Sequence, residues 1–226
     1  MKNKKVTKSV LGWVATVLTP FAILMLAVRV LITPVFAKIE YKMPGFPEDP
    51  FGFTMEDRLT WSKPSITYLT NSAGIDYLEE LTFEDGTPIY NADELSHMDD
   101  VKNVVKWMLT GLSVVILFLV LITYFFVKNE WRLDMLVVLR RGAWATIGLI
   151  AVIFTFVTLA FDQLFTWFHM LFFESGTWKF YTSDTLIRLF PMRFWQDTFI
   201  AVGVLSLIFS GLIILFSRTK PKAVKG

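Results

Sequence analysis

The chain of 226 residues contains two histidines, His97 and His169, and no cysteine. Histidine has a reference pKa of ~6.5, so near neutrality one ring can accept a proton while another donates one. Two imidazoles flanking one reacting centre therefore suit acyl transfer without a serine or cysteine nucleophile. The lack of cysteine removes thiolate catalysis, a disulfide framework, iron–sulfur clusters and thiolate zinc sites. His97 and His169 with Asp99 and Asp100 also form a nitrogen–oxygen donor set of the kind zinc accepts. On an ideal helix, however, Asp99 lies about 200° from His97, and only Asp100, at about 300°, is near its face. No metal is therefore expected.

Other polar residues can support such a centre. Arg188 and Arg193 bracket a short helical stretch in DTLIRLFPMRFWQD (184–197). They can hold a developing oxyanion, pair with Asp184 or Asp197, or reach up to lipid headgroups. Arg29, where the first apolar run meets the surface, can do the same or snorkel. Asp162 is a partner for an arginine or an orienter for a histidine, and Asp100 belongs with these positioning groups. Phe168, Phe172, Phe173 and Trp178 cluster around His169 and are expected to line an apolar entrance. The chain has no GxSxG, HExxH, Walker loop or glycine-rich dinucleotide fingerprint, and no cofactor is expected.

These residues need elements to position them. Apolar residues make up 54% of the chain, and the excess lies in four blocks, about 10–28, 104–127, 142–161 and 194–216. Each is long enough for a helix to cross the hydrocarbon core, which needs roughly 20 residues. In lipid a spanning backbone must bond to itself, so an all-α membrane protein of four transmembrane helices is expected. The organisation reads as a tail and first span (1–37), an outer segment that runs into the second helix (38–100), span two (101–127) and a cytoplasmic loop (128–141). Span three (142–165), an aromatic outer cover (166–193), span four (194–217) and a tail (218–226) follow. Val35-Phe36-Ala37 resembles a signal cleavage site, but the preceding apolar run exceeds the usual 7–15 residues, so the span is expected to stay as an anchor. Pro20 can kink it.

Lys2, Lys4, Lys5, Lys8, Lys128, Arg132, Arg140, Arg141, Arg218, Lys220, Lys222 and Lys225 fall on one side of this bundle, twelve of the 22 cations. That side is expected to be cytoplasmic, with both termini inside. A net charge of +2 provides no basic field for nucleic acid. No span has a carboxylate near its middle and no inverted repeat is visible, which argues against an ion-coupled transporter. Nothing in the sequence signals an oligomeric state.

The outer segment 38–100 carries fourteen acidic residues against Lys38, Lys42, Arg58 and Lys63. Aromatics interrupt it throughout, so it is expected to fold rather than solvate. Leu81-Thr82-Phe83 and Pro88-Ile89-Tyr90 flank Glu84-Asp85-Gly86-Thr87, which predicts a short β-hairpin with Gly86 at positive φ. Asn91 and Glu94 form a capping box for a helix that continues into span two and carries His97 on its outer extension. In the aromatic cover, Ser183 or Asp184 is expected to cap a short helix, Thr185 to Phe190, which Pro191 ends.

The stretches LTFEDGTPIYNADELSHMDDVKNV (81–104), FHMLFFESGTWKF (168–180) and DTLIRLFPMRFWQD (184–197) resemble the lipoprotein intramolecular transacylase family of Gram-positive bacteria. The likeness extends to chain length, the four spans and the large first outer segment. It implies that the sn-2 acyl chain of a diacylglyceryl-modified lipoprotein moves to the α-amino group of its own lipidated cysteine, amid membrane lipids at the outer leaflet. In that reaction His97 is assigned the base role and His169 the acid or positioning role, with Arg188 or else Arg193 on the oxyanion. Two other readings use the same residues: a non-catalytic membrane assembly or interaction protein, and a metal-dependent membrane hydrolase.

Overall fold

The computed structural model describes residues 2–218. Among them the chain forms nine helices and no strand: α1 (Lys2–Leu31), α2 (Pro34–Glu40), α3 (Met55–Tyr68), α4 (Asp76–Glu79), α5 (Ala92–Lys128), α6 (Arg132–Leu159), α7 (Phe161–Phe172), α8 (Thr185–Leu189) and α9 (Met192–Phe216). Helices α1, α5, α6 and α9 are long and apolar enough to cross a membrane. Leu117, Phe118, Val120 and Leu121 of α5 are exposed, a face that lipid tails cover and water would not. Lys220, Lys222 and Lys225 of the expected cytoplasmic tail lie outside the described residues.

Helix α5 has 37 residues. At 1.5 Å per residue it is about 55 Å long, well beyond a hydrocarbon core of about 30 Å. Its first nine residues hold Asp93, Glu94, Asp99 and Asp100, so Ala92–Asp100 stands outside the span. The capping box predicted there is present. Asn91 Oδ1 accepts from the Glu94 N–H, and Glu94 Oε2 accepts from the Asn91 N–H, both at 2.9 Å.

The chain divides into two compact units. One comprises, of the described residues, 2–27, 110–154 and 202–218. Phe126 is fully buried there among Ala15, Ile122, Met135 and Val138. Close helix approach depends on Gly142: a Cβ at that position would overlap the Cβ of Thr19. The buried hydroxyls of Thr16, Thr19 and Thr146 donate to carbonyls one turn back, at 2.8–2.9 Å, which pairs them within the apolar interior. The expected loop 128–141 is much shorter than the sequence suggested, because α6 already starts at Arg132. The turn is made by Glu130 at φ +63° with the Trp131 N–H donating to the Phe126 carbonyl at 2.8 Å, a Schellman closure.

The second unit comprises Val28–Leu109 and Thr155–Ala201. Its core joins Ala37, Tyr41, Tyr68, Leu78, Ile89, Tyr90, Met98, Leu186, Leu189 and Phe190. Ala37, last residue of the cleavage-like triplet, is wholly buried in α2. The predicted β-hairpin is corrected. Gly86 does adopt φ +82°, but the only pairing in the segment is an isolated antiparallel bridge between Thr82 and Pro88. Two backbone bonds close it, Phe83 N–H to Thr87 and Ile89 N–H to Leu81, at 2.8 and 3.0 Å. These bonds flank the Thr82–Pro88 pair, so the position of Pro88 needs no N–H toward its partner strand.

The third span is also corrected. Helix α6 ends at Leu159, Ala160 leaves the helical region at φ −154° and ψ 49°, and α7 begins at Phe161. Asp162 sits in the first turn of α7, where a carboxylate favours a new helix start.

The tight approach at Gly142 yields a stability test. Gly142→Ala should destabilise the protein by roughly 1–3 kcal/mol, as overpacking does. Gly148, whose added Cβ would meet nothing within 4 Å, is the control. Thermal unfolding in detergent should show a lowered midpoint for Gly142→Ala and no loss for Gly148→Ala.

Candidate active site

The site is built within the second unit, from the outer turn of α5, from α7 and from the segment after it. Glu94 sets the first element. Besides capping α5, its buried carboxylate accepts from the Leu186 N–H at 2.7 Å. It thus caps α8, a role the sequence reading gave to Ser183 or Asp184. Asp184 makes no side-chain cap bond, because its Oδ2 accepts from the Tyr181 N–H instead. His97 lies three residues beyond Glu94, so the double cap fixes the turn that carries it.

His169 is on α7. Phe161 and His169 form the buried side of that helix, while Trp167, Met170 and Leu171 are exposed, an apolar outer face suited to lipid. The His169 Nδ1 lies 2.8 Å from the carbonyl oxygen of Phe165. A carbonyl only accepts, so Nδ1 carries the proton and Nε2 keeps its lone pair. The spacing of four along α7 makes this contact local. Asp162, expected as a possible orienter of a histidine, is exposed, and the Phe165 carbonyl takes that role for His169.

The two imidazoles converge. Their ring centroids are 6.3 Å apart and the planes differ by 21°. Both are buried, His97 with 9% and His169 with 7% of its surface accessible. Phe173 packs on both rings, at 4.9 Å from His97 and 5.6 Å from His169. Trp178 and Phe168 contact His169 at 4.8 and 5.6 Å. Phe172 packs on Phe168 and Phe173. Two wall residues were missed in the sequence: Phe165, 4.0 Å from His169, and Phe180, 5.4 Å from His97. The four-residue spacing from His169 was a signal for Phe165; nothing local marked Phe180.

Such a pocket disfavours charge. Burial, and then the neighbouring His169, push the His97 pKa down to about 4. Burial also lowers His169, against the opposing effect of its bond to Phe165. Both rings are therefore neutral at physiological pH, and His169 is the one with a hydrogen bond that supports its protonated form.

The arginines are engaged elsewhere. Arg188 Nε and Nη2 donate to Asp49 Oδ2 at 3.1 and 2.9 Å, and its guanidinium lies 3.4 Å over the Phe53 ring. Neither Asp184 nor Asp197 is its partner. Arg193 pairs with Asp197, as one of the sequence readings had it. Beside that pair, buried Glu40 has its pKa raised to about 7 by burial and by Asp197. Arg29 is exposed in the last turn of α1. Asp100 is exposed and borders a hollow of about 340 Å³ with Ile75, Glu79 and Asp99, while Asp99 accepts from the Tyr68 hydroxyl at 3.0 Å. Among the described residues no three His, Asp or Glu side chains converge as metal ligands.

Residues 13–195 match the family described as lipoprotein intramolecular transacylase Lit. The chain belongs to the lipoprotein intramolecular transacylase family. A protein of Aquifex aeolicus, described only as uncharacterized, is 28% identical over 211 residues, 93% of this chain and 94% of its own. The in meso structure of the membrane-integral transacylase Lit from Bacillus cereus shares the fold, with a TM-score of 0.79 at 20% identity over 95% of each chain. A variant of that protein with one histidine replaced by arginine superposes with a TM-score of 0.76 at 20% identity, over 96% of this chain and 93% of its own. Membership of the transacylase family makes the chain an integral-membrane acyltransferase.

The double cap on this transacylase can be tested directly. Glu94→Ala removes the cap acceptor of the Asn91 N–H and leaves the buried Leu186 N–H without one, at roughly 1–3 kcal/mol for the latter. Denaturant or thermal unfolding should register a loss of roughly 2–5 kcal/mol. Glu94→Gln, which keeps one oxygen, should fall between that variant and the parent.

Proposed function

We propose that this protein moves the sn-2 acyl chain of a diacylglyceryl-modified lipoprotein onto the α-amino group of the same lipidated cysteine, leaving an N-acyl, lyso-type product. The observation that carries this reading is the convergence of the chain's two histidines, nearly parallel, in one buried aromatic pocket. Donor ester and acceptor amine belong to one molecule, so the enzyme's task reduces to orientation, proton movement and charge stabilisation.

The amine nitrogen attacks the sn-2 carbonyl carbon. An N–C bond forms, the C–O bond to glycerol breaks, and one proton passes from nitrogen to the glycerol oxygen. An α-ammonium group has a pKa of ~7.7–8.0, and an imidazole depressed by burial is too weak a base to strip it. The amine therefore enters neutral, and the imidazole takes its proton once attack has made the nitrogen acidic. His169, with Nδ1–H held on Phe165, offers Nε2 for that proton and hands it to the departing oxygen. His97, the ring more strongly kept neutral, orients that oxygen. This reverses the order of roles read from the sequence. It follows from the hydrogen bond that fixes the His169 tautomer.

The distribution of cations supports an orientation with both termini cytoplasmic and the site at the outer leaflet. A substrate with two acyl chains enters sideways from the bilayer. The half-exposed Phe168 and Phe172, beside the apolar outer face of α7, suit that route. Arg29 reaches headgroups from the end of α1, and Arg188 and Arg193 act as struts through Asp49 and Asp197.

His97→Ala and His169→Ala should each lower conversion of a diacylglyceryl lipopeptide at least ~10²-fold, with folded protein retained. In the parent, the rate should rise with pH up to the amine pKa near ~8, without an inflection near the ~6.5 of an ordinary histidine. Mass spectrometry of the lipopeptide reads both; near-full conversion in both variants would end the two-histidine reading. Orientation is tested separately with an impermeant amine reagent on intact cells. Lys63 should label while Lys4, Lys128 and Lys222 are protected, and the opposite pattern would put the site on the inner face.

A further inference from the structure

The reaction proposed above creates negative charge on the sn-2 carbonyl oxygen, and in a buried apolar pocket that charge needs a donor. The two arginines marked for this role in the sequence are bound to Asp49 and Asp197. The pocket itself holds two buried polar atoms without a hydrogen-bond partner, the Nδ1 of His97 and the Nε1 of Trp178. A buried indole N–H ordinarily finds an acceptor, and one left without it is costly enough to call for an explanation. Trp178 packs 4.8 Å from the ring of His169, the imidazole that takes the amine's proton in the reaction proposed above.

We propose that the indole N–H of Trp178 donates to the sn-2 carbonyl oxygen and holds the oxyanion during transfer. This rests on the acyl-transfer reading given above. As the amine nitrogen bonds to the carbonyl carbon, the C=O electron pair moves onto oxygen and the Trp178 N–H shortens its bond to it. When the C–O bond to glycerol breaks, that pair returns and the amide forms. Trp178 neither gains nor loses a proton, so the single proton passes through the imidazoles alone. A neutral donor also suits this pocket better than a guanidinium, which would lose its hydration there without a counter-ion. The indole ring is walled by His169 on one side, and Lys179 lies 5.5 Å from its centroid. Trp178 is thus a catalytic residue as well as a piece of the wall.

The test removes the N–H and keeps the shape. The full-length protein is reconstituted in liposomes with a synthetic diacylglyceryl lipopeptide, and position 178 is changed to 3-benzothienylalanine, in which sulfur replaces the indole N–H. Trp178→Phe is the second variant. Rates are taken per folded protein, with thermal unfolding as the check on folding. Loss of the donor should lower kcat by ~10²–10³-fold, the range for an oxyanion-hole donor. KM should stay near the parent value, since the interaction strengthens only in the transition state. Parent-like kcat in the benzothienylalanine protein would overturn the proposal. So would a rise in KM with kcat unchanged, because that pattern marks uniform substrate binding. His97→Ala and His169→Ala run alongside. If the parent itself forms no N-acyl lyso lipopeptide, the acyl-transfer reading fails; if the histidine variants lose conversion while the 178 variants do not, only the role of Trp178 fails.

Discussion

The carboxylate of Glu94 accepts hydrogen bonds at the starts of two helices that lie 92 residues apart in the chain, and the geometry of the second unit depends on that arrangement. One oxygen closes the capping box of α5 and the other takes the Leu186 N–H in the first turn of α8. Burial favours the protonated acid, whereas the two backbone N–H groups favour the charged acceptor. Neighbouring contacts extend the same linkage. The Tyr41 hydroxyl donates to the Leu189 carbonyl at 2.9 Å, and Arg58 Nε donates to the Arg188 carbonyl at 3.1 Å. The end of α8 is thereby tied to α2 and α3 as its start is tied to α5. Polar atoms from distant stretches, each with a partner, hold a short five-residue helix that would not persist alone.

A different logic governs the histidine pocket, where polar atoms stand without partners among aromatic rings. Low local polarity keeps both imidazoles uncharged and strengthens any hydrogen bond formed inside. The charged residues nearby are paired off at the edges: Arg188 with Asp49, Arg193 with Asp197. Lys102 is almost wholly buried as well, but its ammonium bonds Asn71 and the Ala73 carbonyl and lies 3.7 Å over the Tyr68 ring. The protein thus separates cations that brace the fold from a neutral centre suited to moving a single proton.

What was legible in the sequence follows from the range of each interaction. The number of spans, the Asn91–Glu94 box and the positive φ of Gly86 are written in contiguous residues and appear as expected. The two histidines stood out by rarity, and their rings converge. The failures have physical causes. Asp184 had the right type and position for an N-cap, but a carboxylate from α5 reached the same N–H first. Arg188 found Asp49, 139 positions away, where local spacing offered only Asp184 and Asp197. The apolar run through Ala160 gave no composition signal for the break between α6 and α7, so α7 was divided between a span and a cover. The alternation around Gly86 suggested two strands, and the pairing is a single bridge.

That bridge has a consequence for how other polypeptides meet this segment. Sheets with open edges bind extended chains by adding them as further strands, through unpaired N–H and C=O groups in register. Thr82 and Pro88 leave no such row. The turn is too short to template a neighbour, and one of its two bridging residues cannot donate. An extended polypeptide passing this acidic segment finds no backbone rail to follow, so strand addition cannot select a partner here by the sequence of its main chain's side-chain pockets.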